Sequence, residues 1–145
     1  MKKHLLAVAV TALAAGSVFA QANDTLAKIK ASGSITLGVR ESSGALAYTL
    51  GDGKYVGFHT EMAERITSDL RKQLGMTALD IKYQPVTSQN RIPLVTNGTV
   101  DLECGSTTND ANRQKDVAFA ITTYVEEVRI AVKAKSGITG IKDLK

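Results

Sequence analysis

Strand-like and helix-like segments alternate along this chain, and that order narrows the folds open to it. Ile35-Thr36-Leu37-Gly38-Val39 alternates and carries β-branched residues, the pattern of a strand. Thr60 to Leu74 then shows helical periodicity, with Met62, Ile66, Leu70 and Leu74 recurring every fourth residue as the expected core stripe. Thr60 is placed to cap that helix, Glu61 and Glu64 lie in its first turns, and Gly75 can end it. Leu79 to Tyr83 alternates again as a second strand. Ser88 to Asn97 reads as a short helix, with Pro93 tolerated in the first turn and Gly98 closing it. Val100 to Cys104 reads as a third strand. The order predicts an α/β fold with a mostly parallel sheet flanked by helices. Ligands of such open sheets gather beyond the carboxyl ends of the strands, which draws attention to Arg40, directly after Val39.

Shorter elements fill the intervals. Asp24 to Ala31 looks like a helix with Leu26 and Ile29 on one face and Gly33 as its stop. Ala47 to Phe58 reads as a hairpin turning at Gly51-Asp52-Gly53, whose Asp-Gly pair accepts positive φ. Its G-x-G lacks the helix start and spacing of a dinucleotide loop. Gly105 to Arg113 is a loop rich in Ser, Thr and Asn, and Val117 to Ile121 is a short apolar run. Glu127 to Ala134 alternates like a strand leaving the domain, and Gly140 to Lys145 reads as the start of a helix.

The first residues have the make-up of a secretory leader. Lys2, Lys3 and His4 form a basic start, Leu5 to Ala15 an apolar stretch, and Val18-Phe19-Ala20 the small-residue cleavage pattern, with a second match ending at Ala22. The apolar stretch is too short for a permanent bilayer-spanning helix, so export without a membrane anchor is expected. Without Lys2 and Lys3 the formal charge falls from +4 to +2. The remaining charges are interspersed, without the basic clusters or aromatic platforms of nucleic-acid binding. Cys104 is the only cysteine, which excludes an intrachain disulfide or a cysteine zinc site. It is expected to be buried and inert. No histidine spacing suits zinc, no cofactor is expected, and His59 reads as a structural or surface residue.

Three arginines stand at the ends of these segments: Arg40 in V-R-E-S-S, Arg91 in T-S-Q-N-R-I-P, and Arg113 in N-R-Q-K, just after E-C-G-S-T-T-N. Guanidinium is always charged, and its planar fork matches a carboxylate. Several such groups among Ser and Thr hydroxyls describe a pocket for a small, doubly anionic ligand. Singly, an exposed arginine is usually just solvated. Ser88 can equally serve as a helix cap. Glu41 and Glu103 read as partners of the arginines, or as exposed groups, rather than catalytic acids.

Gly53-Lys54-Tyr55-Val56-Gly57-Phe58, leading into the Thr60 helix, and T-S-Q-N-R-I-P-L-V-T-N-G-T-V-D resemble the extracellular solute-binding proteins of amino-acid ABC transporters. V-R-E-S-S, T-S-Q-N-R-I-P and E-C-G-S-T-T-N are similar, in that order, to the periplasmic glutamate/aspartate-binding branch. The resemblance implies two α/β lobes joined by two crossing strands, closing on a ligand between them. It further implies that residues 1–20 are the signal, 21–126 the first solute-binding lobe, and 127–145 the first crossing and the start of a second lobe that is otherwise missing. Arg91 is similar to the arginine that clamps the ligand's α-carboxylate, with Ser106 and Thr108 as hydroxyl donors beside it. Arg40 and Ser88 look like the pair reaching the side-chain carboxylate, and Arg113 like an additional basic residue. The implied function is periplasmic capture of glutamate or aspartate by a monomer that delivers it to the permease subunits of an ABC importer. A single lobe would hold its ligand by one face only, and weakly. The competing readings are a dehydratase-type enzyme on the same scaffold and the input domain of a receptor.

Overall fold

The computed structural model describes residues 24–144; the leader reading lies outside them. The described chain forms two compact units, one running through Ser106 and one beginning at Thr107.

The first unit opens with helix α1, Thr25–Ser32. Asp24 caps it, its carboxylate accepting from the N–H groups of Leu26 and Ala27, and Gly33 ends it in the left-handed region. Strand β1, Ser34–Val39, follows and is almost entirely buried. Strands β2, Tyr48–Gly51, and β3, Lys54–Val56, form the expected antiparallel hairpin, with Asp52 and Gly53 both at positive φ. Helix α2 spans Phe58–Gln73, strand β4 Asp80–Pro85, helix α3 Arg91–Thr96, and strand β5 Leu102–Glu103.

The main sheet has the order β4-β1-β5 and is parallel throughout, as strand–helix alternation predicts. Ser34 pairs with Asp80 and Val39 with Pro85, while Leu37 pairs with Leu102. Being central, β1 carries the core: Ile35, Leu37 and Val39 pack with Ile29 of α1 and Ala63 of α2. Tyr55, Leu70, Leu74, Leu79, Ile81, Tyr83, Leu102 and Cys104 close around them.

Two details of α2 depart from the sequence reading. Its N-cap is Gly57, not Thr60, which lies buried in the first turn with its hydroxyl bonded to the Val56 carbonyl. Gly57 sits at φ 117°, and a Cβ there would stand 2.8 Å from the Leu46 carbonyl oxygen. The helix is also rotated from the expected stripe. His59, Thr60, Ala63 and Thr67 are its buried residues, whereas Ile66 is 43% exposed. Small side chains face the sheet here because they let the helix backbone come close, and Leu70 and Leu74 pack at the margin of the contact.

Helix α3 is shorter than expected and starts at Arg91, with Asn90 rather than Ser88 at its N-cap. The second unit contains only 3-10 turns, at Arg113–Lys115 and Ile141–Asp143, among its described residues. The strand expected over Glu127–Ala134 is not formed. Its alternation is present, but a strand also needs a neighbour to complete a ladder. The helix expected from Gly140 amounts to the turn at Ile141–Asp143, held by Asp143 accepting from Thr139 and Gly140.

Candidate ligand-binding site

Arg40 follows the last residue of β1 and is half-buried. Its Nη1 donates to the carbonyl of Val86 at 2.8 Å, and its Nε to Ser43 Oγ at 3.2 Å. Val86 comes directly after β4, and its own N–H donates to the Val39 carbonyl. Arg40 is thus strapped across the carboxyl ends of β1 and β4.

Arg91 is positioned by the turn before α3. The Thr87 N–H donates to Asn90 Oδ1 at 2.7 Å, and the Asn90 N–H to Thr87 Oγ1 at 3.2 Å. This reciprocal pair fixes the chain's entry into the helix. The Arg91 side chain then runs inward and is 5% exposed. Its Nη2 donates to Ser88 Oγ at 3.1 Å, and its Nη1 lies 3.5 Å from Ser106 Oγ. Glu103 Oε1, at the end of β5, stands 3.7 Å from Nη1, with both side chains sheltered. Ser106 Oγ lies in turn 3.5 Å from Ser43 Oγ. One polar chain therefore runs Arg40–Ser43–Ser106–Arg91–Ser88 along the carboxyl ends of the parallel strands.

Gly105 makes the arrangement possible. A Cβ at that position would stand 2.2 Å from Glu103 Oε1 and 3.2 Å from Arg40 Cγ. Any side chain there would force the Glu103 carboxylate out of its place beside Arg91.

The structure thus joins four of the six expected residues: Arg40, Ser88, Arg91 and Ser106. It adds Ser43, which sequence reasoning passed over although it is part of the V-R-E-S-S block, and Gly105, which only a close approach reveals. Glu103 takes the role of arginine partner, one of those expected for it. Thr108 and Arg113 belong to the second unit. There Arg113 Nη1 donates to the Thr108 carbonyl at 3.0 Å and pairs with Asp110 at 3.6 Å.

Nearby titratable groups are poised to stay neutral. Burial, reinforced by the negative charge of Glu103, pushes the Cys104 thiol up to about 11, so it remains protonated and unreactive at neutral pH. Burial lowers the pKa of His59, with Glu103 pulling it partly back. Among the described residues no group of three or more His, Cys, Asp or Glu could hold a metal ion. No helix among them is long and apolar enough to cross a membrane.

The structure is an α/β lobe whose parallel sheet carries guanidinium and hydroxyl groups at its carboxyl edge, the side on which open sheets of this kind take their ligands. Residues 35–142 match the bacterial extracellular solute-binding proteins, family 3, and the chain belongs to that family. It is 41% identical, over its whole length, to half of the glutamate/aspartate import solute-binding protein of Salmonella typhimurium. It is 42% identical, over 97% of its length, to 48% of the L-glutamate/L-aspartate-binding protein of Pseudomonas aeruginosa. The chain thus spans about half the length of the curated relatives it matches. Among solved structures it resembles the solute receptor for L-cysteine of Neisseria gonorrhoeae, with TM-score 0.57 and 29% identity over 66% of this chain and 37% of that one. It also resembles domain 1 of TmArgBP, described as an arginine-bound form of a Phe57Trp mutant, with TM-score 0.54 and 23% identity over 79% of this chain and 78% of that one. The likeness shows a single periplasmic-binding-protein-like lobe.

Proposed function

We propose that this chain grips the two carboxylates of glutamate or aspartate in the periplasm, as the solute-capturing component of an amino-acid ABC importer. One observation carries the reading: the buried Arg91 guanidinium is held between Ser88 and Ser106 and linked through Ser43 to a second guanidinium, Arg40. Two cationic forks a few hydroxyls apart suit a ligand with two carboxylates, whereas a neutral side chain would leave one fork unmatched. The names of the curated relatives support the same ligand class. Arg91 takes the α-carboxylate common to all amino acids, and Arg40 with Ser88 takes the acidic side chain. Delivery then passes to the permease subunits of the importer, with the chain acting as a monomer. Alone, this lobe offers one face to the ligand, so its affinity is weaker than micromolar.

The test is an NMR titration of the full chain with L-glutamate, L-aspartate and L-glutamine. Glutamate is expected to shift the amides at Ser88–Arg91 and Ser106. Arg91→Lys keeps the charge but loses the fork. It should weaken all three ligands by about tenfold or more, the scale of one charged hydrogen-bond pair. Arg40→Ala should weaken glutamate and leave glutamine nearly unchanged. Equal losses for glutamate and glutamine in the Arg40 variant would remove the assignment of Arg40. Silence at every strand end would remove the site, and calorimetry giving micromolar affinity would remove the one-face argument.

A further inference from the structure

Glu103 puts a negative charge where a receptor for carboxylates has no evident use for one. Its side chain stands at the end of β5, 9% exposed, with Oε1 3.7 Å from Arg91 Nη1. Gly105 leaves the room it fills, since a Cβ there would lie 2.2 Å from that oxygen. The other charges of the first unit near this edge are accounted for. Glu41, next to Arg40 in sequence, is exposed and screened by water. Asp101 is taken up by Lys28. Burial lowers the pKa of His59, which therefore adds no charge at neutral pH. Two guanidinium groups, Arg40 and Arg91, thus stand against one carboxylate, and the edge keeps a single positive charge.

We propose that Glu103 is a specificity-determining residue: by holding the strand-end site at one positive charge, its carboxylate selects a dicarboxylate that carries an ammonium over one that does not. This rests on the proposed function and narrows its substrate class. Glutamate has two carboxylates and one ammonium, a net charge of minus one, which balances the edge. Glutarate has the same two carboxylates on the same carbon chain and no ammonium, a net charge of minus two. On the two arginine forks it leaves one negative charge unmatched in a partly sheltered site, and both its carboxylates are repelled by Glu103. In glutamate the ammonium is attracted by Glu103 and offsets part of that repulsion. A site made of the two arginines alone would carry two positive charges and would favour the plain dianion.

NMR titration of the full chain at neutral pH with L-glutamate and with glutarate, read at the Ser88–Arg91 and Ser106 amides, tests the proposal. The unaltered chain should bind glutarate more weakly than glutamate. Glu103→Gln keeps the size of the side chain and removes its charge. It should raise the affinity for glutarate relative to glutamate by about tenfold, the scale of one charge a few ångströms away in a partly solvated site. Gly105→Ala leaves Glu103 in the chain but displaces its carboxylate. It should move the ratio the same way, and it carries the test if Glu103→Gln does not fold. Glu103→Asp keeps the charge and should keep the preference for glutamate. A merely structural Glu103 would change both affinities together; a constant ratio in the Gln and Ala variants therefore overturns the proposal. Equal binding of the two ligands by the unaltered chain overturns it as well. Loss of the preference in Glu103→Asp does the same, by assigning to shape what is here assigned to charge. If glutamate shifts none of these amides, the proposed function falls and this inference with it, whereas a constant ratio with glutamate still bound removes this inference alone.

Discussion

Asp101 shows how much one side chain can hold. Its carboxylate is 3% exposed, accepts the Lys28 ammonium at 2.7 Å, and accepts the Thr36 N–H at 2.8 Å. Its own N–H donates to the Thr36 carbonyl. One residue before β5 thereby ties α1 and β1 together. Asp101→Ala would leave the half-buried Thr36 N–H without its acceptor, and should lower unfolding free energy by about 1–3 kcal/mol in urea titrations. Asp101→Asn keeps an acceptor for Thr36 and should lose less; equal losses would show that the Lys28 pairing, not the backbone bond, dominates. The alternation Val100-Asp101-Leu102-Glu103-Cys104 was enough to predict a strand with acids on one side. It could not show that both acids are sheltered, because the shelter comes from α1 and α3, far away in sequence. Glu103 was legible as a partner for arginine, since the arginines stand out. Asp101 was not, since nothing local marks Lys28 as its partner.

At the scale of the element, α2 separates what periodicity reveals from what it hides. A repeat near four residues placed the helix within two residues at its start and one at its end. It did not fix which face turns inward, because buried Thr60, Ala63 and Thr67 are small or polar and add little to a hydrophobic stripe. Thr67 meets its burial by donating to the Ala63 carbonyl at 2.9 Å. The helix start was missed for a related reason: a glycine cap offers no side chain to recognise. Gly57→Ala combines a positive φ with a Cβ 2.8 Å from backbone, and should cost about 3 kcal/mol or more. Gly75→Ala, at φ 65° with open space around it, should cost only about 1–2 kcal/mol. Chemical denaturation of the two variants checks the ratio, and equal costs would rule out the close approach of α2 to Leu46.

For the whole molecule, the buried titratable groups shape the dependence of stability on pH. His59 has a folded pKa below its ordinary 6.5, so its contribution is complete above that value and is lost as pH falls through the lowered one. Tyr83, half-buried and donating to Glu64 at 2.6 Å, is pushed up to about 12, and Cys104 to about 11. Raised acids act the other way: their contributions are complete below their ordinary values, 10.0 and 9.0, and are lost as pH climbs toward the raised ones. Urea midpoints should therefore form a plateau between about pH 7 and 9, with both flanks falling. His59→Gln should flatten the part of the acid flank that starts below pH 6.5; an unchanged flank would assign it to the carboxylates instead. The parallel architecture and the arginine edge were legible in the sequence, because order and charge are local properties. The absence of a ladder at Glu127–Ala134 was not, because pairing belongs to two segments at once.

The place of β1 in the middle of its sheet also governs when the lobe can take shape. Its neighbours begin at Asp80 on one side and Leu102 on the other. A nascent chain must hold its central strand unsatisfied until Asp80 and then Leu102 have been made, and no early hairpin can stand in for those distant neighbours. The sheet therefore closes only after its last strand has been made, so the order of the strands itself sets the order of assembly.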